Sequence, residues 1–341
     1  MNKRKSSNLT ALAFSGFVAL VAIAQAQSVT NAVTPDFSLV GFATLDGGTT
    51  GGAGGPTNTV TTAAAFTAAV GAPGAATILV AGKIELVGDA VRIKSDKTIL
   101  GVGTNAGVVG TLSIVDAGNI ILRNLQLATP PGVSGRDALN TSRAHHLWVD
   151  HCDFGECTDG QFDITHGSDF ITVSWCRFSY TNAANSHRLS MLIGNSDRYA
   201  AEDTGKLRVT LHHNWLDTLV RERMPRVRFG QVHIFNTYYA APGNNYCIGL
   251  GRDSQVRLES SSFDAAKRPW RDSTDAKVAG ATPGRIAWNA DNVFAATEVP
   301  DWAPNAELFQ PPYPYRPDAG VTVKELVTKH AGAGRGPFAP K

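Results

Sequence analysis

LWVDHCDF (Leu147 to Phe154), ITVSWCRF (Ile171 to Phe178), VTLHHNWL (Val209 to Leu216), VHIFNTYY (Val232 to Tyr239) and VRLESSSF (Val256 to Phe263) are versions of one eight-residue pattern. IILRNLQL (Ile120 to Leu127) adds another upstream, and successive starts fall 27, 24, 38, 23 and 24 residues apart. One interval therefore carries an insertion. Each segment alternates apolar and polar residues and ends apolar, as a short strand with one face on a shared core does. A strand signal recurring at this period marks a solenoid. No helical segment separates the strands, so the expected fold is all-β: a right-handed, single-stranded parallel β-helix. A β-sandwich would also space its strands, but its hairpins would not hold so constant a period.

Upstream, strands are expected at Ala76 to Val80, Val91 to Ile93, Thr98 to Leu100 and Leu112 to Val115, and one more downstream at Arg285 to Asn289. Thr62 to Val70 reads as a short helix able to plug the N-terminal end of the coil, whose core would otherwise meet water. Val321 to His330 reads as a short C-terminal helix after the proline-rich stretch Gln310 to Pro317. The glycine-rich stretch Gly41 to Gly55 is expected to turn tightly near one end of the solenoid. Lys3, Arg4 and Lys5, an apolar run from Leu9 to Ala24, and Ala24-Gln25-Ala26 form a secretory signal pattern. The expected organisation is a signal peptide over residues 1–26 and one domain over residues 27–341.

The chain carries 31 Lys and Arg against 29 Asp and Glu, and the slight basic excess vanishes with the leader. Attraction for an acidic partner must then be local, and Arg221, Arg223, Arg226 and Arg228 supply such a patch. Nucleic acid and, for the mature chain, membrane are not expected partners, and a monomer is. Cys152 and Cys176 occupy the same position in consecutive segments, about 4.8 Å apart if the coils stack, which is within the Cα range of a disulfide. That pair is the expected bridge.

Counting back from each repeat places Asp137, Asp159, Asp163, Arg223 and Arg228 in one angular sector of the coil. Asp159 and Asp163 would stand about 13 Å apart in a straight strand, and Gly160 between them permits a bend. Three converging carboxylates favour a hard cation with oxygen ligands, and calcium is the default for an exported protein. The bland alternative is that the acids mark turns between coils. His145, His146 and His151 are expected to pack rather than to bind zinc. His212 and His213, adjacent in one strand, should point to opposite faces. Trp148, Trp175, Trp215, Tyr238 and Tyr239 are expected to be stacked structure. The RIK run at Arg92 to Lys94 lacks the paired aspartates that hydrolysis would need.

The phrases GFATLDGGTTGG (Gly41 to Gly52), KTILGVG (Lys97 to Gly103), NIILRNLQL (Asn119 to Leu127), LWVDHCDF, DGQFDITHGSDFITVSW (Asp159 to Trp175), MLIGNSD (Met191 to Asp197), VTLHHNW and RMPRVRFGQVHIFN (Arg223 to Asn236) resemble, in this order, the secreted pectate lyases of the parallel β-helix family that also contains pectin lyases. The match runs from Gly41 to Tyr239, with an echo in VKELVTKHAGAG (Val323 to Gly334).

The resemblance implies that Asp137, Asp159 and Asp163 hold calcium, that Arg223 removes the C5 proton of a galacturonate unit, and that Arg228 binds a substrate carboxylate. It implies anti β-elimination of de-esterified α-1,4-polygalacturonate, leaving 4,5-unsaturated ends outside the cell. Pectin lyases lack the calcium acids, so their retention here favours de-esterified pectate over methylated pectin; a pectin lyase, another uronate lyase and a non-catalytic carbohydrate-binding β-helix are the alternatives. Some relatives place a further acid where Gly135 stands. The family also has a substrate-binding lysine shortly before the MLIG-like phrase; here Arg188, one residue out of register, is the candidate substitute. An arginine base is chemically demanding, since its pKa lies above about 12. Neighbouring cations would lower it, so activity should rise at alkaline pH.

Overall fold

A computed structural model of the protein describes Met1 and residues 35–132, 135–300 and 307–336. The rest of the expected signal peptide lies outside the described residues. Within them the chain winds as a β-solenoid in which every pairing between strands is parallel. Eight strands stack into one sheet: Val91–Arg92, Leu112–Val115, Leu139–Ser142, Gly160–Thr165, Leu189–Ile193, Arg226–Val227, Ile248–Leu250 and Trp270–Asp272. The other seventeen form two ladders that share the long strands Ala76–Glu85 and Lys97–Val109.

Each coil runs from the eight-stranded sheet into the first ladder and then the second, as Gly160–Thr165, Asp169–Ser174 and Arg177–Phe178 do. Like residues stack in register down the inside. Leu122, Val149, Val173, Leu211, Ile234 and Leu258 form one unbroken column of the first ladder. In the second ladder Phe154 and Phe178 stack face to face at 4.7 Å, and Tyr239 and Phe263 at 4.3 Å. These columns bury apolar surface on every rung, which is how a fold with few helices stabilises itself.

The octapeptide is not one strand. Its fifth residue turns a corner between the two ladders in the left-handed backbone region: Asn124, His151, Trp175, His213, Asn236 and Ser260 have φ between 45° and 57°. The alternation that marks a strand thus continues across a bend. This bend overturns the expectation that His212 and His213 diverge, for their Nδ1 atoms lie 3.0 Å apart. His213, Trp175 and His151 stack along the corner, with Trp175 centred 4.1 Å from His213 and 5.9 Å from His151.

The helix Ala63–Gly71 begins at Thr62, whose hydroxyl accepts the Ala65 N–H, and sends Phe66 and Val70 fully buried into the main core. The C-terminal helix Gly320–His330 packs Val323 and Val327 against Tyr238. The start of the glycine-rich stretch does not sit at the solenoid end. Its Phe42 and Ala43 N–H groups donate to Thr210 and Thr172 hydroxyls in the middle of the first ladder. Gly41 is required there, because a Cβ would meet Thr172 Oγ1 at 2.6 Å and its φ is 120°.

The expected disulfide is absent: Cys152, Cys157, Cys176 and Cys247 are all free and buried. The two thiols nonetheless lie side by side, close enough for each to act on the other, and Cys176 Sγ also accepts the Cys152 N–H at 3.4 Å. Cys152 Sγ faces the Asp150 carbonyl at 3.4 Å and Cys176 Sγ the Ser174 carbonyl at 3.3 Å.

Candidate active site

The outer face of the eight-stranded sheet gathers the charged residues. In register, Asn140, Asp163, Leu192, Arg226, Gly249 and Arg271 form one column. Asp137 lies two residues before Leu139–Ser142, and Arg223 and Arg228 flank Arg226–Val227, two rungs beyond Asp163. The single sector expected from counting is therefore one sheet face.

Asp137 and Asp163 converge. The point where a Cβ on Gly160 would stand lies 2.9 Å from Asp163 Oδ1 and 3.3 Å from Asp137 Oδ1. Gly160 begins a regular strand, and its missing side chain leaves the room in which Asp137 and Asp163 meet. Both Oδ1 atoms are buried without a hydrogen-bond partner among the described residues. Burial, then the charges of Asp163 and Asp159, push the Asp137 carboxyl up to about 8. Burial pushes Asp163 to about 7, against the pull of Arg223. Two buried carboxyls that resist ionisation, with oxygens aimed at a common gap, suit a hard divalent cation.

Asp159 takes a different place. It acts on both acids through its charge but borders a neighbouring cavity of about 760 Å³ with Glu156 and His187. Among the described residues no three His, Cys, Asp or Glu side chains assemble as a metal-binding group. The histidines serve packing: His146 stacks on Phe170 at 5.0 Å and His151 bonds Asp150 Oδ2 at 2.7 Å.

The arginines differ in how firmly they are held. Arg228 donates from Nε to Asp197 Oδ1 and from Nη1 to the Gly194 carbonyl, both at 2.9 Å, so its guanidinium is fixed. Asp197, in the MLIGNSD phrase, was not singled out from sequence; the bare charge pairing of an acid with a distant arginine leaves no local pattern. Arg223 has φ 61°, and its guanidinium has no ion-pair or hydrogen-bond partner among the described residues, while its charge reaches both Asp137 and Asp163. Arg188 is half-buried just before Leu189–Ile193, with its Nε unpartnered. Arg226, held below its ordinary pKa by burial and then by Arg228, stands in the same column as Asp163.

The pectate lyase family model matches residues 7–336. Pectate lyase A of Aspergillus niger is 35% identical over 301 residues, covering 86% of each chain. The pectate trisaccharide-lyase of Bacillus licheniformis is 34% identical over 325 residues, covering 88% of this chain and 87% of its own. A crystal structure of a Bacillus pectate lyase in complex with trigalacturonate superposes with a TM-score of 0.70 at 26% identity, over 87% of this chain and 99% of that one. The chain belongs to the pectate lyase family.

Proposed function

We propose that this enzyme is a calcium-dependent lyase that cuts de-esterified α-1,4-polygalacturonate by anti β-elimination. The observation that carries the reading is the pair of orphaned buried oxygens of Asp137 and Asp163, three and two rungs from Arg223, whose guanidinium has no partner among the described residues. Asp137 and Asp163 would hold the calcium, with Asp159 adding charge beside them. Bound there, the ion would offset the buried acids and draw electron density from a uronate carboxylate, acidifying its C5 proton.

Arg223 is then placed to take that proton. The electron pair left on C5 forms the C4–C5 double bond as the C4–O bond breaks, and the glycosidic oxygen leaves with the departing chain and is protonated from solvent. Arg228, fixed by Asp197, binds a neighbouring uronate carboxylate, and Arg188 serves as a further cationic contact. Methyl esterification would remove the charge that both the acids' cation and the arginines recognise, so polygalacturonate is the expected substrate. The same reading has the leader removed, the enzyme outside the cell, and a monomer at work. No described helix is long and apolar enough to cross a membrane.

The test is a comparison of polygalacturonate with highly methylated pectin, following ultraviolet absorbance from the unsaturated ends. Growth on polygalacturonate with little on pectin is expected. New reducing ends without absorbance would mean hydrolysis and would sink the mechanism.

Gly160→Ala tests the cation site separately. Its methyl would stand 2.9 Å from Asp163 Oδ1, so calcium affinity measured by titration calorimetry should fall about tenfold or more, the scale on which disturbed ligand geometry acts. Unchanged affinity would place the ion elsewhere.

A further inference from the structure

Two segments that flank the coil, residues 37–44 and 309–318, are sewn onto the outer face of the first ladder. The Phe42 N–H donates to Thr210 Oγ1 at 3.0 Å, Thr210 Oγ1 lies 2.7 Å from the Tyr313 hydroxyl, and that hydroxyl lies 2.7 Å from His233 Nδ1. His233 Nε2 stands 2.8 Å from Glu259 Oε2. One run of hydrogen bonds thus joins both segments to the ladder. Its direction follows from the acceptor at its end. Although burial opposes it, bonds from His233 and Tyr315 hold Glu259 below its ordinary value, so the carboxylate accepts and Nε2 carries a hydrogen. A neutral His233 then offers only its Nδ1 lone pair, which Tyr313 fills, while Thr210 donates to Tyr313 and accepts from Phe42. A proton added at Nδ1 turns the Tyr313 hydroxyl round, and the Thr210 hydroxyl loses its acceptor.

His212 meets the same difficulty one rung back. Its Nδ1 contact with His213 Nδ1, at 3.0 Å, needs one hydrogen and one lone pair. His213 Nε2 is held by Asp318 Oδ2 at 2.9 Å, and Asp318 is tied to Asn236 by its own N–H and carbonyl, at 2.9 and 2.7 Å. With both rings protonated, two N–H groups would face each other, and the tie to residue 318 would be pushed apart.

The surroundings give neither ring relief. His212 and His233 are buried. Burial, then the charges of His213, His233 and His151, hold His212 well below its ordinary pKa, against the pull of the Val40 carbonyl. Burial also holds His233 down, outweighing Glu259, with Arg257 acting in the same sense as burial. The other charged groups on this face are engaged: Asp150 with Arg123 and His151, and Arg257 with Glu259 and the Phe309 carbonyl. From the C-terminal helix, His330 meets Phe37 and Trp175.

We propose that these contacts form an acid-released clasp: residues 37–44 and 309–318 are fastened to the first ladder while His212 and His233 are neutral, and let go when the two rings take up protons. The folded state binds these protons less readily than the unfolded chain. The clasp is therefore at full strength above the ordinary histidine value of about 6.5 and weakens as pH falls through it. Each histidine that must stay neutral raises the opening equilibrium by up to about tenfold per pH unit below that value. Carboxylates with lowered pKa act only near pH 4 and below, and the raised acids Asp137 and Asp163 act with the opposite sign.

The test is amide hydrogen exchange of the full chain in calcium buffer between pH 5.5 and 7.5, read by mass spectrometry and corrected for the intrinsic rate at each pH. In the wild type, protection of peptides covering 37–44 and 309–318 should fall about tenfold or more towards pH 5.5, while a coil peptide covering 120–127 holds its protection. His212→Gln and His233→Gln, which are neutral throughout, should each flatten that fall. The slope with pH is the readout, so a loosened segment at pH 7.5 in either variant does not obscure the result. Constant protection of both segments in the wild type, an equal acid loss in the coil peptide, or an unchanged slope in both variants would overturn the clasp.

Discussion

Arg223→Lys should lower kcat on polygalacturonate by about a hundred- to ten-thousand-fold, the range over which a positioned base contributes to proton transfer. The substitution keeps a positive charge beside Asp137 and Asp163, so the electrostatic field on the acids is largely preserved. What changes is geometry and chemistry: a flexible ammonium replaces a rigid planar fork. Because the Arg223 side chain bonds nothing among the described residues, and lysine tolerates φ 61° no worse than arginine, the melting temperature should stay within a few degrees of wild type. KM should move little, since the lost interaction belongs to the transition state. Near-full kcat in the variant would remove Arg223 from the role of base. A raised KM with kcat intact would reduce it to a binding contact.

The second large effect is at the acid pair. Asp163→Asn preserves shape but removes one of two buried charges, and calcium affinity should drop by about a hundredfold or more. The pH dependence gives an independent signature. In calcium-free protein both carboxyls are raised, to about 8 and about 7, above the ordinary carboxylate value of about 4. The folded state then holds protons that the unfolded state releases, so stability is lost as pH rises from the ordinary carboxylate range through 7 and 8. Calcium, which binds the ionised acids, should restore it, and most strongly at alkaline pH. Thermal melting in chelator should thus show a fall between pH 5.5 and 9 in the wild type and a flatter profile in Asp163→Asn. If calcium stabilised the variant as well as it does the wild type, Asp163 would not be a ligand.

The wound coil was legible because the apolar positions recur at nearly one coil length. Leu147, Ile171, Val209, Val232 and Val256 do stand on one another in the first ladder. The bend inside each octapeptide was hidden, since its corner is filled by Asn, His, Trp or Ser rather than by a glycine that would announce a positive φ. Cys152 and Cys176 show the limit of stacking arguments: register makes the two thiols neighbours, yet both are free.

The site divides in the same way. Asp137, Asp163, Arg223 and Arg228 fall on one sheet face as counting back from the repeats expects. Asp159 acts on the other two acids through its charge and also borders the adjacent cavity. Arg252 and Arg271 lie outside the octapeptides, in coils where the pattern loosens. They come beside Arg226 only through the pairing of Ile248–Leu250 with its neighbours. Gly160 was noticed for flexibility, yet its contribution is the volume it leaves empty.

The most direct test of the central claim is the rate of unsaturated-product formation from polygalacturonate at alkaline pH, measured in excess chelator and again after calcium is added back. The account predicts no absorbance growth in chelator and full recovery with calcium. Undiminished elimination in chelator would contradict it, since the orphaned acids would then have no part in the chemistry.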